Sequence, residues 1–275
     1  MTNIMNVYIR GSGGLGNVLF HLASAIYYCE KYNFELKIVK TLATLYGTSN
    51  LFGKVKTYMV NGNFMSYAQT IFSKLQFIDN VEGDYVTVHN DLTCDVIIPQ
   101  DKNILISGHN QHINTVTQVM DKISNYLFLD DTNIKNYILE KYPNIQNSTI
   151  ICVRIGDDFK HMNKLKPESY LKAIEHLNEL GESTTDLFVM SDISTHTFFN
   201  NTIPSFTEID EPDIFQIYAG LMAKNIILSE STFHLWIAYL LTNFGQNKDK
   251  NVICYNDTDT TNRNMNLDEW IKLDY

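Results

Sequence analysis

A short β-rich run, Asn6 to Arg10, breaks directly into Gly11-Ser12-Gly13-Gly14-Leu15-Gly16-Asn17. Val18 to Tyr32 then carries Leu19, Leu22, Ala23, Ile26 and Tyr27 at helical spacing. A strand that turns through glycines into an amphipathic helix opens a βα unit and commits the chain to an α/β fold with a largely parallel sheet. Leu36–Val39, Tyr85–Val88 and Ile104–Ile106 read as further strands, and Asn114–Leu129 and Thr132–Lys141 as helices. Tyr142 to Ser148 is polar and turn-forming, the best candidate linker, and after it the alternation restarts. Strands are expected at Thr149–Val153, Leu187–Met190, Ile226–Leu228 and Val252–Tyr255. Helices are expected at Pro167–Leu180, Asp213–Ala223 and Thr232–Leu241, the first with proline suited to its first turn. Leu267 to Leu273 reads as a terminal amphipathic helix. The economical arrangement is two Rossmann-like domains, 1–146 and 147–275, facing a cleft, with the terminal helix from about residue 265 packing back on the first. Open sheets of this kind bind ligands at the carboxyl ends of their strands, so function is expected in the loops there.

The composition is globular, with 44% hydrophobic and 19% charged residues over 275 positions. No apolar run approaches the ~20 residues of a membrane helix, and Met1 to Met5 lacks the basic and apolar regions of a signal peptide. The expectation is a soluble, cytoplasmic protein without a membrane span. Twenty-one basic against 31 acidic residues give a net charge of −10, the wrong sign for coating nucleic acid. Any anionic ligand must therefore be held by a few local donors. The chain has only three arginines, Arg10, Arg154 and Arg263. Its four cysteines (Cys29, Cys94, Cys152, Cys254) are scattered with no CxxC pair, which argues against a zinc site or a disulfide framework.

Three loops carry chemistry. The glycine run Gly11 to Gly16 satisfies GxGxxG and presents backbone N–H groups to a phosphate. A dinucleotide site would add an acidic residue ~20 positions on, but the second strand ends Val39-Lys40-Thr41, which leaves room only for a 2′-phosphate on Lys40. The second loop, Cys152-Val153-Arg154-Ile155-Gly156-Asp157-Asp158, sets a guanidinium at a strand end, where its fork matches phosphate. A plain surface ion pair with Asp157 or Asp158 is the structural reading of the same residues. The third, Ser229-Glu230-Ser231-Thr232-Phe233-His234-Leu235-Trp236, begins a helix whose N-terminus is an anion site. Ser231 and Thr232 are good caps, while Phe233, His234 and Trp236 are as readily core residues as ligand contacts.

In combination these segments resemble the α-1,2-fucosyltransferase family. Gly13-Gly14-Leu15-Gly16-Asn17-Val18-Leu19-Phe20 followed by Ala23 resembles its opening GGLGNQMFQYA. Ile106-Ser107-Gly108-His109-Asn110-Gln111 resembles its G-Y-x-Q stretch, and Cys152 to Asp158 its H-x-R-R-G-D-Y. Tyr170 to Ile174 is similar to its YY-x-x-AI helix, Phe188 to Asp192 to its F-S-D strand end, and Ser231 to Leu240 to its STFSWWGAWL. Ile155, Gly156 and Asp158 also resemble the H-L-R-I-G-S-D-W of protein O-fucosyltransferases. Cys152 stands where the first family has His, Ile155 where it has a second Arg, and Val18 where it has Gln.

The resemblance implies a GT-B fold and inverting, metal-independent transfer of L-fucose from GDP-β-L-fucose to a glycan hydroxyl. It implies that Arg154 stabilises the departing diphosphate and that Asn17 reaches the reacting centre. Asp157 or Asp158 would take the acceptor proton or orient Arg154. Gly14, Gly16, Asn17, Arg154, Ser231, Thr232 and Phe233 would bind the donor, with Asp213 (or Asp210 or Glu211) on its guanine or ribose. His109 and His112 are candidates for the acceptor side. The expected partners are a nucleotide-sugar donor and a glycan acceptor, with no metal and no other cofactor. Three alternatives stay open: a metal-dependent transferase using Asp257-Thr258-Asp259, an NAD(P)-dependent oxidoreductase on the glycine loop, and a non-catalytic GDP-sugar or glycan-binding module.

Overall fold

The structure is a computed structural model. It describes residues 5–9, 14–39, 58–60, 63–65, 67–89, 98–99, 101–108, 111–156, 165–203, 205–247, 249–256 and 265–274. The chain forms two compact units, Met1–Asp131 and Thr132–Tyr275. No described helix is long and apolar enough to cross a membrane.

In the first unit, strand β1 (Asn6–Ile9) leads into helix α1 (Leu15–Tyr32) and strand β2 (Glu35–Val39). A hairpin, β3 (Tyr58–Val60) and β4 (Asn63–Met65), precedes β5 (Gln76–Ile78), β6 (Tyr85–His89) and β7 (Asn103–Ser107). Among the described residues the main sheet has the order β5-β2-β1-β7-β6, every neighbour parallel. Leu15, Val18, Leu19, Leu22, Ala23 and Ile26 are all buried, so α1 lies embedded against β1, β2 and β7 and is not a surface helix. It stops at Asn33, whose φ of 57° is the left-handed conformation that asparagine tolerates. The helix expected over Asn114–Leu129 is broken into α2 (Ile113–Val119), a 3-10 turn (Met120–Lys122) and α3 (Ile123–Tyr126). The apolar stripe of Val116, Val119, Met120 and Ile123 runs through the break and stays buried. That stripe is why the sequence reads as one helix.

The second unit begins with α4 (Thr132–Lys141) and continues β8 (Thr149–Val153), α5 (Pro167–Glu179), β9 (Leu187–Ser191), α6 (His196–Phe199) and β10 (Thr207–Glu208). Then come α7 (Asp213–Met222), β11 (Asn225–Ile227), α8 (Thr232–Phe244), β12 (Asn251–Tyr255) and β13 (Ile271–Leu273). The strand order is β10-β9-β8-β11-β12-β13, again all parallel. One sheet face packs Ile151, Val153, Val189, Ile227 and Ile253 against Tyr170, Ala173 and Leu177 of α5. At the amino ends, buried Asn225 donates to Thr149 Oγ1 at 3.2 Å and accepts from Asn251 Nδ2 at 2.9 Å, tying β8, β11 and β12 in register.

Two features differ from the sequence reading. The boundary falls before α4, not at residue 146, because α4 packs on α7: Tyr137 meets Phe215 edge-on at 5.1 Å. Glu211 accepts from Tyr137 at 3.1 Å, Tyr142 at 3.1 Å and Lys141 at 2.5 Å. The turn-forming stretch before β8 therefore joins two elements of one unit. The terminal segment is not a helix. Ile271–Leu273 adds a parallel strand beside β12. Trp270 stacks on Tyr239 at 5.2 Å and donates to Thr242 Oγ1 at 3.0 Å, so sheet pairing and an aromatic anchor override a weak local helical period.

The α7–α8 contact depends on Gly220, where a Cβ would run into Cγ2 of Ile237. Gly220→Ala is expected to destabilise the fold by about 1–3 kcal/mol through overpacking. The double variant with Ile237→Ala should lose less in urea unfolding than the two single losses added together, because the second change empties the space the first fills.

Candidate active site

Both sheets reverse their strand order at one point. In the second unit the chain runs from β8 outward through β9 to β10, then returns to β11 on the other side of β8. The gap between the carboxyl ends of β8 and β11 is the switch point at which open α/β sheets bind ligands. β8 delivers Arg154-Ile155-Gly156 to that edge, β9 delivers Asp192, and β11 delivers Leu228 to Ser231 and the start of α8.

Asp192 organises the first of these loops. Its carboxylate accepts from the Ile155 N–H at 3.1 Å and the Gly156 N–H at 2.8 Å, and lies 3.3 Å from Nη1 of Arg154. The pair keeps partial contact with solvent, 28% for Arg154 and 17% for Asp192, so the guanidinium is both oriented and reachable. The sequence reading placed Asp192 only as a strand end. Its role was missed because nothing in the sequence says that β8 and β9 lie side by side.

Ser231 occupies the N-cap of α8 with φ −110° and ψ 129°, and it is 6% exposed. Contrary to expectation its side chain makes no capping hydrogen bond. The hydroxyl therefore stays unused by the helix. Thr232 and Phe233 are half-buried in the first turn, and Trp236 is wholly buried core. His234 is 3% exposed, and its Nδ1 lies 2.7 Å from Ser229 Oγ. Burial, followed by the nearby Arg154 charge, pushes His234 down to about 3 against the opposing pull of Asp192 and Asp213. The ring is thus neutral in the folded protein, and these four groups share one electrostatic neighbourhood.

Asp213 opens α7 and is half-buried, whereas Asp210 is exposed. Glu211 is held in the buried cluster with Tyr137, Tyr142 and Lys141, which removes it as a ligand candidate. Cys152 is fully buried within β8, and burial pushes its thiol well above the ordinary range. Asp157, Asp158, Asp257 and Asp259 lie outside the described residues.

In the first unit the switch point lies between β1 and β7. Gly14 is the exposed N-cap of α1 with no side chain to cap the helix, Gly16 is buried, and Asn17 is half-buried. Asn17 Oδ1 accepts from Gln111 Nε2 at 3.1 Å. His21 is buried beside them, its Nε2 bonded to the carbonyl of Gly108, whose φ of 87° requires glycine. Two segments of the family resemblance thus meet at one sheet edge. His112 is half-buried before α2, and residues 10–13, Lys40 and His109 lie outside the described residues.

No family model matches the sequence, and no curated protein matches it. Solved structures do. The fucosyltransferase NodZ from Bradyrhizobium aligns with a TM-score of 0.52 at 13% identity, covering 87% of this chain and 94% of that one. NodZ α-1,6-fucosyltransferase soaked with GDP-fucose aligns at 0.56 and 13% identity, covering 87% and 93%. POFUT1 in complex with GDP aligns at 0.55 and 9% identity, covering 89% and 96%. The chain therefore has the α/β, GT-B type fold of these fucosyltransferases.

Because His234 is neutral when folded and titrates normally near 6.5 when unfolded, unfolding takes up a proton between those values. Stability is expected to be complete above pH 6.5 and to fall as pH drops toward 3, by roughly 1.4 kcal/mol per pH unit for one proton. Urea midpoints at pH 7, 5.5 and 4.5 (values chosen to span about two units of that window) should show a shallower acid slope in His234→Asn than in the wild type.

Proposed function

We propose that this chain is a glycosyltransferase that moves L-fucose from GDP-β-L-fucose to a hydroxyl of a glycan acceptor. The supporting observation is the meeting of Arg154, held by Asp192, with the start of α8 at one switch point. The sequence resemblance and the fold shared with fucosyltransferases point to the same donor.

Cleaving the sugar–phosphate bond builds negative charge on the β-phosphate while the sugar becomes oxocarbenium-like. A fixed cation aimed at that oxygen stabilises the transition state more than the ground state. Arg154 has that role, and Asp192 holds its guanidinium at the sheet edge so that little reorganisation accompanies the reaction. The Ser231 hydroxyl and the first amides of α8 supply neutral donors to the same diphosphate. Asp213 is assigned to the ribose or guanine, and Phe233 to the donor's apolar surface. Gly14, Gly16 and Asn17 are assigned to the donor from the sequence motif they match. The acceptor oxygen attacks that carbon from the face opposite GDP, which inverts the configuration, and Asp157 or Asp158 takes its proton. Charge neutralisation falls to Arg154 and amide dipoles, so the reading calls for no metal. The finer assignment, from the sequence motifs, is α-1,2 linkage to a galactoside.

Calorimetric titration with GDP, GDP-fucose, GDP-mannose, UDP and NADPH tests the donor class. GDP and GDP-fucose are expected to bind and NADPH not to. GDP binding without turnover on β-galactosides would favour a binding module instead. Arg154→Ala should lower kcat by about 100- to 1,000-fold, the scale for removing one preorganised oxyanion donor, with the melting temperature unchanged. Arg154→Lys should restore little of it, since an ammonium lacks the fork that meets both Asp192 and a phosphate. Turnover near wild type in Arg154→Ala would remove the assignment.

A further inference from the structure

A serine at the N-cap ordinarily turns its hydroxyl back onto an amide of the first helical turn, which fixes how the chain enters the helix. Ser231 has the extended backbone of a cap, and its carbonyl accepts the first helical bond from Leu235 N–H at 2.9 Å. Its side chain nevertheless makes no such bond. A different contact closes the turn. Ser229 Oγ, two residues before the cap, meets His234 Nδ1, three residues after it, at 2.7 Å. Both residues are buried, 5% and 3% exposed, and the bridge encloses Ser231 and Thr232.

We propose that the Ser229–His234 bridge is a positioning device that stands in for a side-chain cap bond, holding the turn before α8 while leaving the Ser231 hydroxyl open to a diphosphate. This rests on the reading of the site as a GDP-sugar site. His234 is a positioning residue and acts through Ser231 and Thr232 without touching the ligand. A histidine suits the task because the bond survives in either tautomer, the serine hydroxyl both donating and accepting. Neutrality is part of the design. Arg154 after β8, Asp192 after β9 and Asp213 at the start of α7 all act on the ring. A cationic imidazole among them would repel Arg154 and compete with it for Asp192. Burial keeps the ring uncharged, so the turn adds a hydrogen bond without adding a charge.

The test is calorimetric titration of GDP into the wild type, His234→Leu, Ser229→Ala, the double variant and His234→Asn, each with a melting curve and donor KM and kcat. His234→Leu and Ser229→Ala are each expected to weaken GDP about tenfold, what one hydrogen bond of ordinary strength contributes, with donor KM rising more than kcat falls. The double variant should be no weaker than either single one, since both break the same bond. His234→Asn, which sets an amide where Nδ1 was, should return most of the affinity. Single variants that melt like the wild type and bind GDP as tightly would overturn the proposal. If His234→Leu does not fold, Ser229→Ala decides alone, because it removes the bond and leaves the ring in place. A wild type that does not bind GDP overturns the GDP-sugar reading itself, and the proposal with it. That failure shows before any variant is compared.

Discussion

The Arg154–Asp192 contact is the interaction on which the site depends. Taken as stability it is minor, since a half-exposed ion pair at 3.3 Å is largely offset by solvation and side-chain ordering. Its consequence is geometric. One carboxylate holds the guanidinium and the two amides that follow it, so Arg154, Ile155 and Gly156 present one rigid corner to the ligand edge. An arginine left free there would sweep a wide volume, and in the proposed transfer ordering it during the reaction would raise the barrier. In a chain of net charge −10 with three arginines, a long-range positive field is not available to gather an anion. Short-range, preorganised donors must replace it.

The groups behind Arg154 are kept neutral by burial. His234 lies buried within reach of Arg154, Asp192 and Asp213 and is pushed down far enough to carry no charge. Cys152, on the buried strand that leads to Arg154, is likewise kept as a thiol by burial. Arg154 therefore faces no cationic competitor from these two side chains. Elsewhere in the unit, two acidic side chains, Glu211 and Glu208, are occupied. Glu211 is committed to Tyr137, Tyr142 and Lys141. Glu208 is desolvated, yet the Thr195 N–H and the Thr195 and Ser194 hydroxyls outweigh that and hold it below the ordinary glutamate range.

Much of this architecture was legible in sequence for a simple reason. Buried parallel strands such as Thr149–Val153 are short apolar runs with no competing period, and α4 (Thr132–Lys141) buries Ile134 and Ile138 at helical spacing. Arg154, Ser231 and Thr232 were found because they sit at strand ends and helix starts, which sequence marks directly. What escaped was set by neighbours distant in the chain. Asp192 gains its meaning from β8 lying beside β9, and residues 132–146 belong to the second unit because α4 meets α7. The terminal Ile271–Leu273 is a strand because β12 offers an open edge, a fact absent from its own residues. The Ser229–His234 bridge was hidden differently. A cap serine predicts a cap bond, and only the geometry shows that the bond was moved outside the turn.

The two ends of the second sheet show how the fold tolerates such a departure. At the amino ends, polar side chains are matched: Asn225 bridges Thr149 and Asn251, and Ser148 Oγ donates to the carbonyl of Ile145. Asn247 donates to the carbonyls of Gln146, Met222 and Ala223, closing the turns there. At the carboxyl ends the local rules are relaxed. A serine at a helix start makes no side-chain cap bond, a histidine is buried, and an arginine is held part-exposed beside the Asp192 carboxylate. Each relaxation would be a plain defect if it fell at random along the chain. Gathered at the loops bordering the switch point of the second sheet, they stand apart from the amino end of that sheet, where matched polar side chains specify the fold. In the proposed site an ordinary cap bond on Ser231 would consume the hydroxyl offered to the diphosphate, whereas the bridge from Ser229 to His234 holds the turn without using it.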